Sequence, residues 1–422
     1  MSDRGLSVPV FTPHPLPETP ETVITAEAGL NLGSQIDFRA EPLVKAGDHV
    51  AQGAPILRDR RRHECIITAP MAGRVAELEM GAGRRLASLV LYAEDRDDRH
   101  AYEVGAASDE IACGEGSAAL RRLLQEAGLW MRFRSRPFGR VPAPETIPAT
   151  IFVMAVDTRP LAPDPRVALT GENAEWLQLG LRALARLCNG QIQFCQDRGP
   201  DIISPNERVR IRRVGALHPA GLAGFCIHQS FPARPDRQIW DIDAEDVAAI
   251  GELLSERRLP ATRLVSVAGP GMRETLLVRC QPGADLRDLA YAHMSPGQQA
   301  ILSGSVLEGQ ESRWLGYRDR QVTVISRPSG GRPRHWLETA LRQASHPKPI
   351  IATAAVEQAL GGYIPAMALL RALAVGDDEA VAELGGLSLL EEDLALVDYI
   401  TSAKPRFSEL LRASLDRIEA NL

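Results

Sequence analysis

Between residues 148 and 269 short apolar runs alternate with stretches of helical period. "ATIFVMAVDT" is apolar at consecutive positions, as in a strand covered on both faces. "NAEWLQLGLRALARLCNG" repeats every three to four residues, placing Leu177, Leu181, Leu184 and Cys188 on one helical face before Gly190. "QIQFCQD" and "RVRIRRV" predict two more strands. The next segment, "GALHPAGLAGFCIHQS" (215–230), predicts a loop in which His218 is a turn residue beside Pro219 and His228 follows a short strand. Asp243 and Asp246 are expected to cap the helix "AEDVAAIGELLSERR", with Val247, Ile250 and Leu254 on its buried stripe. "TRLVSVAG" is expected to close the set as a further strand. This order predicts a mostly parallel sheet with helices packed on it, a Rossmann-like α/β domain.

The flanks have other rhythms. In "PLVKAGDHVAQGAPIL…IITAPMAGRVAEL" (42–78), Gly47-Asp48 and Pro70–Gly73 separate short alternating strands. That pattern is similar to the biotinyl/lipoyl-like barrel-sandwich, which carries its cofactor on a hairpin-tip lysine. Here the tip reads "RDRRRHEC" without a lysine, so attachment is not expected. Its Arg58, Arg60, Arg61 and Arg62 are expected to form a solvated turn. Residues 263–328 predict strands around one short helix starting near Asp285, a β-grasp-like (SLBB-type) unit. The remainder, from 334, reads as helical. The expected divisions are 1–116 (barrel-sandwich), 117–262 (Rossmann-like α/β), 263–330 (β-grasp-like) and 331–422 (C-terminal helical domain), an α/β multidomain chain.

Composition narrows the function classes. Of 422 residues, 45% are hydrophobic and 24% charged, as in a soluble globular protein of about three domains. The net charge of −6 argues against nucleic acid as the main partner. No apolar run reaches the roughly 18 residues of a spanning helix, and the Pro-rich start lacks an apolar signal core. The six cysteines have no C-x-x-C spacing, so they predict packed thiols, not a zinc site or iron–sulfur cluster. Eight acidic residues and no basic one lie between Arg371 and Lys404. Such a run is expected to form a solvated face; docking of a basic partner is the second reading.

Three stretches carry candidate chemistry. "GLWMRFRSRPFGR" interleaves arginines with Trp130, Phe133 and Phe138. Such alternation stacks on flat rings, or else forms an edge strand with arginines outward and aromatics inward. His218, Pro219, Gly221, Gly224 and His228 mark a loop of nucleotide-binding type with too few glycines to hold phosphate, and Pro219 removes a backbone donor. The same histidines and Cys226 lack metal-ligand spacing, so no metal is expected. Neither a serine elbow, a paired-carboxylate motif nor a P-loop is present, and no catalytic residue is assigned.

Several of these segments, in order, resemble one family along nearly the whole chain. "VKAGDHVAQGAPIL…ITAPMAGRV", "GLWMRFRSRPFGRVPA", "IFVMAVDTRPLAPDP", "GALHPAGLAGFCIH", "ILSGSVLEG" and "LSLLEEDLALVDYI" look like the NqrA family, one of the components of the Na+-translocating NADH:quinone reductases. The match departs after "EEDLAL", where Val397 and "ITSAK" replace the usual cysteines and Pro-Gly-Lys, so a divergent member is expected. The resemblance implies a peripheral cytoplasmic subunit of a six-subunit membrane complex that passes electrons from NADH to ubiquinone and moves Na+. FAD, FMN and iron–sulfur centres would sit on partner subunits, and this chain would bind no covalent cofactor. A ubiquinone-binding role would map onto Trp130, Phe133, Arg136, Pro137 and Phe138. The alternatives are a free-standing soluble ligand-binding protein on the same scaffold, or a flavin- or NADH-binding relative of the complex I flavin subunit.

Overall fold

The structure is a computed structural model, and it describes residues 4–32, 38–94, 98–327 and 353–422. The start of the expected helical tail, 334–352, lies outside these residues.

The α/β sheet runs in the order Val209–Arg213, Ile192–Gln196, Thr150–Ala155, Ile239–Asp243, with the four strands parallel. Arg134–Arg136 adds an antiparallel edge beside the last of them. The apolar run of Thr150–Ala155 sits near the middle and is buried at every residue, as a strand covered on both faces requires. The strand Ile239–Asp243 carries no strong apolar run. It takes the place that sequence reasoning gave to "TRLVSVAG", which belongs instead to another sheet. Local pattern identified a strand there but not its pairing partner.

Helices Glu172–Leu187 and Ala244–Glu256 pack together on one face. Their approach is close because each offers a glycine at the crossing. A Cβ on Gly251 would lie 1.8 Å from the Trp176 carbonyl oxygen, and one on Gly180 2.0 Å from that of Val247. Val247, Ile250 and Leu254 are buried as their spacing predicted. Asp243 occupies the cap position but makes no side-chain cap bond, a correction to the expected cap. Arg320 draws its carboxylate at 3.4 Å, and that of Asp246 at 2.9 Å. A full positive charge outcompetes the helix amides for both groups.

The barrel-sandwich consists of a four-stranded sheet (Glu27–Gly29, Leu86–Ala93, Gly73–Met80, His49–Val50) and a three-stranded one (Ala40–Pro42, Pro55–Asp59, Ile66–Thr68). The arginine-rich tip joins Pro55–Asp59 to Ile66–Thr68. Arg60 and Arg61 are exposed, whereas Arg62 turns back to Asp59 and to the Val141 carbonyl. The barrel and the α/β domain share one hydrophobic core.

In the β-grasp-like unit, Arg263–Ala268, Leu276–Cys280, Gln299–Ser303, Gln310–Glu311 and Gln321–Ser326 share a six-stranded sheet. Its short helix, Leu286–Ala290, starts at Asp285, whose side chain accepts from the Arg287 amide. The sixth strand is Glu21–Thr22, so the Pro-rich start crosses to this domain. Along the way Arg4 bonds the Gly362 carbonyl and Leu6 that of His218, tying the start to the helical region as well. The described part of the tail is helical as expected, with Ala354–Ala359, Ala366–Val375, Ala395–Thr401 and Phe407–Ala420 around one apolar cluster. No helix among the described residues is long and apolar enough to cross a membrane.

A cavity of about 410 Å³ lies where the barrel, the α/β domain and the β-grasp-like unit meet. Glu252 stands in its wall, and burial pushes its carboxyl up to about 7, against the pull of Arg99. A carboxyl raised in the folded state stabilises fully below its unfolded value, and that stability fades as pH rises through the folded value. Glu252→Gln is therefore expected to flatten the fall in melting temperature between about pH 4.5 and 7. Thermal unfolding across that range tests it, and parallel wild-type and variant curves would refute it.

Candidate functional site

In parallel α/β sheets, ligands bind outside the carboxyl ends of the strands, where the strand order reverses. Here that point lies between Thr150–Ala155 and Ile239–Asp243. A crevice of about 540 Å³ opens there, lined by Val156 and Asp157 after one strand and Asp241–Asp243 of the other. Gly221, Leu222 and Ala223 form a third wall, and the β-grasp-like unit and the helical domain close it.

The predicted nucleotide-type loop therefore does border the crevice. Its second half, however, is the helix Ala223–Ser230, so His228 is helical and does not follow a strand. The run "GLAGFCIH" is short and apolar, a pattern that does not separate strand from buried helix. His218 is buried, with Nδ1 3.4 Å from Thr158 Oγ1, and burial pushes its imidazole down to about 4. Pro219 is buried beside it. The His228 ring packs on Gly385. The two glycines make room for the chain's own groups. Gly221 donates its amide to Thr158 Oγ1 at 3.0 Å, and a Cβ on Gly224 would lie 2.2 Å from Asp393 Oδ2. The chain's own Asp393 carboxyl group thus already stands against the first turn of this helix, where an anion would bind.

Asp393 belongs to an ion network that joins the aromatic–arginine stretch to the acidic run. Arg136 is fully buried and reaches Asp241 at 3.1 Å, Asp393 at 3.2 Å and Glu392 at 3.5 Å. Arg134 reaches Asp241 at 2.6 Å and Glu392 at 2.7 Å. A second pairing links Arg159 to Asp157 at 2.6 Å and to Glu308 at 2.7 Å. Burial opposes ionisation of Glu392, but Arg134 and Arg136 outweigh it and hold the carboxyl at about 2. For Asp393 burial wins, with Glu392 adding to it against Arg136, and the carboxyl rises to about 7.

The edge-strand reading is corrected here. The strand is at the edge, but Arg136 points inward, because the carboxyl groups of Asp241, Glu392 and Asp393, from distant segments, await it there. The acidic run is likewise not simply a solvated face, since Glu391 pairs with Arg412 and Asp378 with Arg417. Sequence reasoning missed Asp241, Glu392 and Asp393. A buried guanidinium must find carboxylates, yet nothing local says which.

Of the expected quinone-site residues, Trp130 and Phe133 are fully buried. They meet Trp240 edge-on or tilted, at 5.4 Å between ring centroids in each case. Pro137 is buried and Phe138 half-buried, the latter with φ 79° and packed on the helical-domain cluster.

Ten carboxylates and six guanidinium groups line the crevice. Its surplus of negative charge repels phosphate groups. Among the described residues, no cluster of three or more His, Cys, Asp or Glu is placed to hold a metal ion.

Comparison with known proteins places this architecture. Residues 3–94 match the NqrA N-terminal barrel-sandwich hybrid domain, 116–259 the NqrA second alpha/beta domain, and 264–313 the NQRA C-terminal domain. The corresponding Na(+)-translocating NADH-quinone reductase component of Actinobacillus pleuropneumoniae serotype 3 (strain JL03) is 34% identical, over 99% of this chain and 98% of its own. That of Marinomonas sp. (strain MWYL1) is also 34% identical, with the same coverage of both chains. Among solved structures, an NAD+-reducing nickel–iron hydrogenase in its H2-reduced state aligns over 64% of this chain and 57% of its own. Its TM-score of 0.36 and 11% identity are too low to bear on function. With three matching domains in order and end-to-end identity to named relatives, the chain belongs to the NqrA family of the Na+-translocating NADH-quinone reductases.

Proposed function

We propose that this chain is the peripheral, cofactor-free subunit of a six-subunit Na+-translocating NADH:ubiquinone oxidoreductase, contributing to quinone binding and to assembly. It sits on the cytoplasmic side of the membrane through its partners, which carry the FAD, FMN and iron–sulfur centres. The observation that supports this most is the network at the switch point. Glu392 lines the crevice where an α/β sheet of this type would take a nucleotide, buried Arg136 and Asp393 anchor behind it, Asp393 stands against the first turn of the helix 223–230, and the charge around the crevice is negative.

The quinone role is assigned to the segment 130–138. Trp130, Phe133, Arg136 and Pro137 are buried and act by positioning, leaving half-buried Phe138 as the group that offers a ring face. Phe138→Ala is expected to weaken a ubiquinone analogue about tenfold, in line with the 1–3 kcal/mol of one stacked aromatic contact. Calorimetric titration of the purified chain, with its melting temperature as the control for folding, measures this. Unchanged affinity would move the quinone site off this segment. Co-purification with the membrane subunits tests the assembly role separately.

A further inference from the structure

The three-domain cavity differs in charge from the crevice. Five arginines (Arg99, Arg132, Arg263, Arg279 and Arg320) face three carboxylates, those of Glu245, Asp246 and Glu252. The carboxylates are engaged. Arg320 pairs with Glu245 and, at 2.9 Å, with Asp246, while Arg99 lies 3.7 Å from Glu252. That leaves an excess of positive charge on Arg132, Arg263 and Arg279. Arg132 donates to the Tyr317 carbonyl and stacks over its ring, with only a 3.8 Å approach to Asp246.

Arg263 is 5% exposed and gives one hydrogen bond, to the Tyr317 carbonyl at 2.8 Å. Burial, then the nearby Arg132 and Arg320, push its guanidinium down to about 9. Arg279 is a quarter exposed, and its ion pair is a 4.0 Å approach to Glu245. Leu30, Leu129, Ala249, Leu259 and Leu315 supply an apolar wall to the same cavity. Guanidinium forks suit carboxylate and phosphate oxygens, and the volume is that of a small-molecule site.

We propose that this junction binds a small organic anion, its carboxylate or phosphate head between Arg263 and Arg279 and its apolar body against the Leu30–Leu129–Leu315 wall. Binding there clamps three domains at once, because the strand carrying Arg279, the helix carrying Glu245 and Asp246, and the barrel residue Leu30 share the cavity. The cavity adjoins the crevice, sharing Asn31, Arg132, Asp246 and Tyr317 with it, but Arg263, Arg279 and the Leu30–Leu129–Leu315 wall belong to this cavity alone and lie outside the segment 130–138 assigned to quinone.

The test uses the full chain, with benzoate, phenyl phosphate and inorganic phosphate titrated calorimetrically against chloride at matched ionic strength. At least one of the two aromatic anions is expected to bind saturably and at least tenfold tighter than inorganic phosphate, and which one does so identifies the head group. Arg279→Gln should weaken that anion at least tenfold while leaving the unliganded melting temperature close to wild type, since the ion pair of the Arg279 side chain is a loose 4.0 Å approach to Glu245. Arg279→Glu should abolish binding. Heats no larger than with chloride, equal affinity for inorganic phosphate, or unchanged affinity in the Arg279→Gln chain would each overturn the proposal.

Discussion

Replacing Arg136 by alanine is expected to destabilise the chain by about 3–5 kcal/mol, the cost of leaving a buried charge without its partner. The arginine is fully buried, and Asp241 and Asp393 beside it are almost wholly so. The carbonyl of Ser388 also accepts from it at 3.2 Å. Without the guanidinium, Asp393 loses the largest of the groups that oppose its protonation, while Asp241 keeps its ion pair with Arg134. The helical domain is held partly through these bonds, so its docking on the sheet should loosen first. Arg136→Lys should rescue only in part, because one ammonium cannot serve three carboxylates from a planar fork. A chain combining Arg136→Met with Asp241→Asn and Asp393→Asn should recover part of the loss, since Arg134 keeps Glu392 while buried Arg318 loses the nearby Asp241 charge. Thermal and urea unfolding of the three chains decide this, and an Arg136→Ala chain as stable as wild type would refute the network's role.

Trp240→Ala should cost about as much, ~3–5 kcal/mol for a fully buried large aromatic. Trp240 joins Trp130 and Phe133 in the core shared by the barrel and the α/β domain. Its indole nitrogen is buried without a hydrogen-bond partner. Trp240→Phe should therefore cost clearly less than Trp240→Ala, as it keeps part of the ring contacts, leaves a smaller cavity and removes an unsatisfied donor. Melting temperatures of the two variants separate the cases. Equal losses would mean that the ring contacts are not what the site needs.

The elements legible in the sequence are those whose own pattern decides them. "ATIFVMAVDT" is apolar throughout because both its faces are covered, and the helix 244–256 shows its buried stripe directly. Glycine-punctuated hairpins likewise gave away the barrel, where turn chemistry is local. What escaped was set by distant partners. Ile239–Asp243 is a sheet strand because the neighbouring strand and the edge strand Arg134–Arg136 hydrogen-bond it, although its own sequence mixes Trp240 and Ile242 with two aspartates. In the candidate site, Gly221 and Gly224 suggested a loop built for phosphate, whereas their neighbours are Thr158 and Asp393, the latter 169 positions beyond Gly224. Arg136 was visible within the aromatic–arginine stretch and the "EED" triplet within the acidic run. Their pairing across more than 250 positions was not.

On the proposed function, the chain's own charges close the switch-point crevice to nucleotides and leave the chain without a redox group. The most direct measurement is flavin absorbance of the purified chain, followed by calorimetric titration with FMN and NADH. The expected result is a colourless protein with no saturable heat for either ligand. Stoichiometric flavin, or tight binding of FMN or NADH that the Gly224→Ala substitution abolishes, would contradict it.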